Sequence, residues 1–571
     1  MTIFHSRAPF VAPPDDLSIP QFILDEVNHA TRPHRADHIP CFIEEESGKA
    51  LFLSELRERS HRLAKTLKGR WGIGPNDVVS LYAPNHVDYG VIIWAVHRLG
   101  GIISAHSGAL TTEELEYQLR IAEPVLLVAH PENLTVALDA MKKVGLAQER
   151  LVLLDGNLAP EAPFPSVDTL IESHSQYPEY TEHKLKAGEA KNAIAFFCYS
   201  SGTTGPPKAV AVSHYNVIAS VVQVSTFNRI HEEYLPWENR RFRPGDVCAG
   251  VLPLYHVYGL VVSIHLVIYG AVSVVIGRRF NYENLLKSIE RYRITHLMIV
   301  PPQAVLFCKH PLTKKFDLSS IRYCIVAAAP LSAELTLQLQ QLFPGVQIGQ
   351  GYGLTETCSG VSQFPIDQLV GTLGSSGQLI PGTTAKVVKP DGTLAGVGEP
   401  GELYLKGPQV MLGYYRNEEA NKEVFADGWL RTGDEVVFQA NGDLFVTDRI
   451  KELIKVKGHQ VSPSELEGHL LNHPDVADAA VIGVPDDYAG EVPLAFVVLK
   501  PPLATKVRED AELAGDVRDR IDKHVSAVTS RYKWLEGGIE FVDAIPKSAS
   551  GKILRGILTQ RGRQVQRKAR L

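Results

Sequence analysis

The apolar run Ala193–Cys198 passes directly into Tyr199-Ser-Ser-Gly-Thr-Thr-Gly-Pro-Pro-Lys-Ala-Val210, and this junction constrains the chain more than any other stretch. Short hydroxyls and bare backbone N–H groups wrap a polyphosphate readily, and glycine lets the backbone approach closely. Lys208 adds a positive charge, and the two prolines before it stiffen the loop. The spacing is not the G-x-x-x-x-G-K-[ST] of P-loop nucleotidases, because no Gly-Lys-Ser/Thr follows. The same composition also suits a surface turn, since Gly, Ser, Thr and Pro mark turns generally.

Up to about residue 400 the chain alternates helix-like and strand-like patterns. Ser54–Leu67 carries Leu56, Leu63, Ala64 and Leu67 on one face, and the apolar run Val78–Tyr82 follows. Thr111-Thr-Glu-Glu114 reads as a capping box that opens a helix, and Val125–Ala129 as a buried strand. Such alternation predicts an α/β fold of layered αβα sheets, largely parallel. Around 374–449 short strands with frequent Gly and Pro predict a small β-rich subdomain. A further shift near 450 predicts a separate α+β domain. There Ser462-Pro-Ser-Glu465 opens a helix as a capping box, and Val476–Val484 and Pro493–Leu499 read as strands. The expected division is therefore a large N-terminal domain over 1–449 and a small C-terminal domain over 450–571.

Composition removes several function classes. With 58 basic and 64 acidic residues, net −6, the chain has no global nucleic-acid footprint. Six scattered cysteines without a C-x-x-C pair argue against a disulfide framework or a zinc site, and suit a reducing compartment. The start, Met1-Thr-Ile-Phe-His-Ser-Arg, lacks the apolar core of a secretory signal. Gly259–Gly277 approaches the length of a membrane span, but Gly270 divides it into a helix-like and a β-branched half, so a buried helix then a buried strand is expected.

Four more polar strings fit a nucleotide-activating site. Gln350-Gly-Tyr-Gly-Leu-Thr-Glu356 offers a ring to stack on a base, a hydroxyl for a phosphate and a carboxylate for Mg²⁺, or else it is an ordinary turn. In Trp429-Leu-Arg-Thr-Gly-Asp434 the carboxylate suits ribose hydroxyls, or a solvated hairpin turn. Asp448-Arg-Ile-Lys-Glu-Leu-Ile-Lys-Val-Lys-Gly458 is a basic run at the composition shift, a mobile joint or a solvated face. Pro546-Lys-Ser-Ala-Ser-Gly-Lys-Ile-Leu-Arg555 sets Lys552 just after a Ser/Gly loop. A lone lysine says little; five such strings in this order say much.

With those strings in hand, the chain resembles the adenylate-forming superfamily of acyl-CoA synthetases, firefly-type luciferases and peptide-synthetase adenylation domains. Within it the chain is most similar to 4-coumarate:CoA ligase-like enzymes, over residues 40–560. The resemblance implies an ATP-dependent carboxylic acid:CoA ligase that forms an acyl-adenylate and pyrophosphate, then a thioester and AMP. It implies a mobile C-terminal domain hinged near Arg449–Lys451. Ser200, Ser201, Gly202, Thr203, Thr204, Gly205 and Lys208 would lie on the phosphate loop. Gln350, Gly351 and Tyr352 would surround adenine, with Thr355 at the α-phosphate and Glu356 at Mg²⁺. Asp434 and Arg449 would hold the ribose, and Lys552 would bridge carboxylate and α-phosphate. Lys455 and Gln460 fall on catalytic positions, and Lys457 with Gly458 on the coenzyme A tunnel.

Pro253-Leu-Tyr-His-Val-Tyr-Gly-Leu260 matches the segment that borders the acid, which marks Tyr255, His256 and Tyr258, with Ala328 and Gly351 opposite. His256 is expected as a neighbour of the carboxylate, or as a core histidine. Ala327-Ala-Ala-Pro330 replaces a glycine-containing wall, and Ile325-Val326 stand where coumarate ligases are more polar. Ala209 departs from the common Pro-Lys-Gly. A drier pocket follows, which favours an apolar aryl, arylalkanoic or medium-chain acid. Seven Lys or Arg and no acid occupy the last twenty residues, and Ala569-Arg570-Leu571 is a variant of the Ser-Lys-Leu address. It points to a peroxisomal import receptor and the peroxisome, the cytoplasm being the other expectation. Luciferase-like or carrier-dependent adenylation, and an inactive acyl-binding homologue, remain alternatives, although no room follows residue 560 for a carrier domain.

Overall fold

The computed structural model describes residues 2–200, 206–457, 459–486, 488–548 and 551–569. Among the described residues the chain builds four sheets, of nine, seven, six and five strands. The seven-stranded sheet has a parallel centre of Val78–Ala83, Ile102–Ser107, Leu126–Ala129 and Ile194–Ser200. Lys208–Ser213 turns back antiparallel on Ile194–Ser200, and Gly413–Tyr414 pairs against it. The nine-stranded sheet is parallel through Phe42–Glu44, Ser273–Ile276, Val247–Gly250, His296–Ile299, Tyr323–Val326 and Gln347–Leu354. Helices cover both sheets, and one core joins them through Trp94, Phe196, Val221, Leu260 and Val274.

The local signals act as their chemistry dictates. Helix Leu53–Trp71 buries Leu56, Leu63, Ala64 and Leu67, the stripe read from spacing. Helix Thr112–Ala122 opens on a reciprocal capping box: Glu114 N–H donates to Thr111 Oγ1 at 3.3 Å, and Thr111 N–H to Glu114 Oε2 at 2.8 Å. The apolar stretch after Gly259 is a buried helix followed by the buried strand Ser273–Ile276. Its first part, Tyr258–Leu266, is a wider π-type helix. No described helix is long and apolar enough to cross a membrane.

The six-stranded sheet is antiparallel and built from Thr384–Val388, Gly401–Lys406, Phe425–Ala426, Trp429–Phe438 and Leu444–Arg449, with Phe4–His5 on one edge. There Phe4 stacks on Phe438 at 4.2 Å, and Arg7 donates to the Ala440 carbonyl at 2.8 Å. One piece of the Gly-rich region, Gly413–Tyr414, belongs instead to the seven-stranded sheet.

From Ile454 onward the chain has a core of its own, with Val481, Phe496, Ile521 and Leu558 at its centre. Strands Val476–Asp486 and Gly490–Leu499 pair antiparallel, and helices Pro463–Asn472 and Ala511–Ser526 pack on that side of the chain. Ser462 caps its helix, accepting from Glu465 N–H at 3.3 Å, but the expected box is half formed. The Glu465 carboxylate pairs with Lys533 at 2.7 and 2.8 Å, because an ammonium is a stronger partner than a backbone N–H.

Several histidines are locked neutral in these cores. His106 and His265 are held down to about 4 and His214 to about 3 by burial, the last also by His183. His106 lies between Gln118 Oε1 at 2.7 Å and Ser80 Oγ at 2.9 Å, which fixes one neutral tautomer. Unfolded histidine protonates near 6.5, so below that pH the unfolded chain gains protons that the folded one refuses. Stability is therefore full above about pH 6.5 and falls as pH drops toward 4. Urea midpoints at pH 7 and pH 5 check this; His106→Gln, which keeps polar partners, should flatten the fall by about 1 kcal/mol per pH unit.

Candidate active site

A cavity of about 580 Å³ opens where the three sheets of the large unit meet the small one. That size suits a small-molecule site. Ser200 and Lys208 enter it as neighbours, since they are register partners at the end of the antiparallel pair. The strands on either side of the hydroxyl segment thus pair antiparallel, unlike the strand and helix that flank a P-loop. Its members Ser201, Gly202, Thr203, Thr204 and Gly205 lie outside the described residues, as do Gly458, Arg570 and Leu571.

The Gln350–Glu356 string is a strand end and not a surface turn. Strand Gln347–Leu354 pairs antiparallel with Ser359–Gln363, with an irregularity after Tyr352. A Cβ on Gly353 would stand 1.5 Å from the Ser359 carbonyl oxygen, so this crossing admits glycine alone. The tight turn Thr355–Thr357 then sets Thr355 and Glu356 on the cavity wall. Met411 N–H donates to the Glu356 carbonyl at 2.9 Å, and Tyr414 Oη donates to Glu356 Oε1 at 2.9 Å.

Asp434 and Arg449 are opposed residues of paired strands, so the sheet itself sets their approach. Arg449 Nε lies 3.5 Å from Asp434 Oδ1, and Tyr352 Oη donates to Asp434 Oδ2 at 2.5 Å. Asp434 is 3% exposed, which excludes the solvated hairpin turn. Burial raises its pKa, opposed by Arg449, the Tyr352 bond and Lys552. Lys552 stands in the same cavity, carried there by the small unit. Burial lowers its pKa first and Arg449 second, while Glu452, Asp434 and Glu356 act to keep it charged.

His256 lines the cavity beside Lys552 and is held down to about 4, by burial and then by that ammonium. Tyr258 N–H donates to His256 Nδ1 at 3.3 Å. The neutral ring therefore carries its proton on Nε2 and offers a donor, not a base. Beyond it the walls are Val224, Phe242, Val262, Leu266, Met298 and Ile325, with Tyr258, Ala327, Ala328 and Gly351. The Tyr258 hydroxyl oxygen is buried without a partner among the described residues. Ala328 adopts φ +73°, a left-handed backbone that disfavours a side chain.

Other predicted residues stand elsewhere. Gln350 does not line the cavity: its amide accepts from Leu331 N–H at 2.9 Å and donates to Leu331 O at 3.2 Å, bracing the Ala327–Pro330 wall. Tyr255 is likewise off the wall. Lys455 and Gln460 face each other across the hairpin Ile454–Val456/His459–Val461, exposed and away from the cavity. Lys457 is exposed with its ammonium 4.7 Å from the Tyr488 ring centre.

Sequence reasoning missed Tyr414, whose ring also lies 4.9 Å from Lys208 Nζ. It missed the far wall too, where buried Arg241 donates to Asn228 Oδ1 at 3.0 Å and Gln363 Nε2 donates to Asn228 Oδ1 at 3.1 Å and Tyr323 Oη at 2.6 Å. No string flags either group, because each assembles from distant segments. That no carboxylate among the described residues lies within ion-pair distance of buried Arg241 shows itself in three dimensions alone.

The family model of the AMP-binding enzymes matches residues 29–415, and that of the AMP-binding enzyme C-terminal domain matches 465–552. The chain belongs to the AMP-binding enzyme family. It is an AMP-forming ligase of the adenylate-forming superfamily. It is 35% identical to the acyl-CoA ligase easD of Emericella nidulans, over 95% of this chain and 96% of that protein. It is 36% identical to probable 4-coumarate–CoA ligase 1 of Dictyostelium discoideum, over 87% and 89%. The solved anthranilate CoA ligase AuaEII, in complex with anthranoyl-AMP, superposes with a TM-score of 0.81 at 25% identity, over 97% of this chain and 98% of that one.

In this AMP-binding enzyme the Tyr414 bond steers a carboxylate that the sequence alone marks. Tyr414→Phe should raise the KM for ATP on the order of tenfold, the scale of a hydrogen bond to a charged group, with an unchanged melting temperature. Steady-state kinetics with ATP varied checks it.

Proposed function

We propose that this enzyme joins a largely apolar aryl, arylalkanoic or medium-chain acid to coenzyme A, through an acyl-adenylate. The observation that carries the reading is the meeting of Lys552 with Thr355, Glu356 and Arg449 in one cavity, with Asp434 paired to Arg449 and apolar walls beyond His256. A carboxylate attacking an anionic α-phosphate faces like-charge repulsion, so fixed positive charge and alignment are the tools available. In the first step a carboxylate oxygen bonds to the α-phosphorus and the bond to pyrophosphate breaks. Lys552 neutralises both anions at the point of attack, and Thr355 donates to an α-phosphate oxygen. His256 Nε2–H donates to the acid's carboxylate and aligns it.

Asp434 accepts from the ribose hydroxyls, held by Tyr352 and Arg449, and the Tyr352 ring beside Gly351 offers a face for adenine. Ser200, Lys208 and the hydroxyl loop cradle the departing pyrophosphate. Glu356 suits Mg²⁺: it is a single carboxylate steadied by Tyr414, and Mg²⁺ is commonly held by one or two carboxylates plus substrate phosphates. Bound there, the ion would offset phosphate charge. In the second step thiol sulfur attacks the acyl carbon and AMP leaves. Lys455, Lys457, Gly458 and Gln460 would serve that step after the small unit turns and withdraws Lys552.

The apolar assignment of the acid rests on the walls. Asn228, Gln363 and Tyr323 bond to one another and to Arg241, so they do not demand a polar ligand, and the Tyr258 hydroxyl is left to meet at most one polar group of the acid. A panel of aryl, arylalkanoic and aliphatic acids, scored by coenzyme A-dependent AMP release, tests the class. Highest turnover with short polar acids would overturn it.

Lys552→Ala should abolish acid-dependent ATP–pyrophosphate exchange and spare thioester formation from preformed acyl-adenylate; equal loss of both sinks the assignment. Because burial and Arg449 lower the Lys552 pKa, exchange should decline with rising pH below the usual lysine range near 10.4. The ending Ala569-Arg570-Leu571 further supports a peroxisomal address. Removing the tripeptide should move a tagged protein from peroxisomes to cytosol, as read by microscopy.

A further inference from the structure

The small unit does more than touch the large one at the hinge. Helix Pro301–Lys309 follows strand His296–Ile299, whose Met298 lines the cavity, and it spans about 13 Å. At its far end Lys309 Nζ donates to the Leu471 carbonyl at 3.0 Å and reaches the Val476 carbonyl at 3.5 Å. Leu471 lies in the last turn of helix Pro463–Asn472, where carbonyls lack intrahelical partners. The His473 N–H serves Leu470 there, so the Leu471 oxygen falls to the lysine. A cation at that end also meets the negative pole of the helix.

At its near end the same helix meets the turn that carries the catalytic lysine. A Cβ built on Gly551 would stand 3.1 Å from Val300 Cγ2 and 3.2 Å from Pro302 Cγ, and Gly551 has φ +81°. Glycine is required twice over, by the contact and by the backbone. Helix Pro301–Lys309 is thus bound by the small unit at both ends. Among the described residues no carboxylate lies within ion-pair distance of Lys309, although the ammonium is half-buried. Carbonyl oxygens on the other unit are what compensate it.

We infer that Lys309 is a positioning residue for adenylation: by capping helix Pro463–Asn472 it latches the small unit in the pose that holds Lys552 in the cavity. The inference rests on the reading that Lys552 acts in the first step. When the latch opens, the ammonium regains water and the helix end loses its cap, so the cost of release is small on both sides. A salt bridge buried at the same place would hold the unit and slow the second step.

The pose is measurable without knowing the acid. A Cβ on Gly468 lies 3.5 Å from Ser332 Cβ, within the disulfide range of about 3.5–4.5 Å. The Ser332→Cys/Gly468→Cys protein should therefore cross-link on oxidation. Adding Lys309→Met should slow cross-linking about tenfold and raise acetylation of Lys552 by acetic anhydride, read by mass spectrometry, at an unchanged melting temperature. Lys309→Arg should restore both to within about twofold, since a guanidinium also donates to helix carbonyls. Unchanged cross-linking and unchanged Lys552 labelling in Lys309→Met would overturn the latch. Slowed cross-linking together with normal pyrophosphate exchange in Lys552→Ala would keep the latch and refute the role of Lys552.

Discussion

Everything in the site turns on placing a lysine beside an arginine in a largely enclosed space. Lys552 and Arg449 repel each other there, and burial adds to the penalty on Lys552. Glu452, Asp434 and Glu356 supply the opposing charge, and of the three Glu356 lines the cavity. The balance leaves a net pull for anions once a polyphosphate and a carboxylate arrive. It also explains why Tyr352 and Tyr414 each donate to a carboxylate: the acids must be held in place for the cations to be tolerated.

Strand pairing is the means by which distant sequence reaches this balance. Asp434 faces Arg449 through antiparallel register, and Ser200 faces Lys208 in the same way. Lys552, by contrast, arrives on a turn of the other unit, guided by surface contacts. A residue fixed by register keeps its place in the sheet, whereas the place of one delivered by docking depends on how the small unit sits. The division of labour between the two units follows from these different attachments.

Much of this was legible in the sequence. Helix stripes such as Leu56 to Leu67 and the Thr111 box depend on neighbours within a few residues, so local chemistry suffices to read them. Strings rich in Gly, Thr and acid marked Thr355, Glu356, Asp434 and Lys552; three of them line the cavity, and Asp434 is buried against Arg449, which lines it too. Gln350 shows where that reading stops, because its amide bonds a backbone nineteen residues away and serves the wall. Tyr414 and the Arg241–Asn228–Gln363 group were silent for a related reason. Their meaning is set by sheet topology, which periodicity does not encode. The half-formed box at Ser462 is a smaller case, where Lys533, sixty-eight residues beyond Glu465, outcompetes a local donor.

The short strand Phe4–His5 has a bearing on handling the protein. It occupies an edge of the antiparallel sheet whose other strands carry Asp434 and Arg449. Unpaired strand edges invite association with other chains. Trimming those residues would bare a row of amides along Thr384–Val388, so a shortened enzyme would be prone to self-association at the sheet that carries Arg449. A purification tag is better joined with these residues intact and a flexible spacer before them.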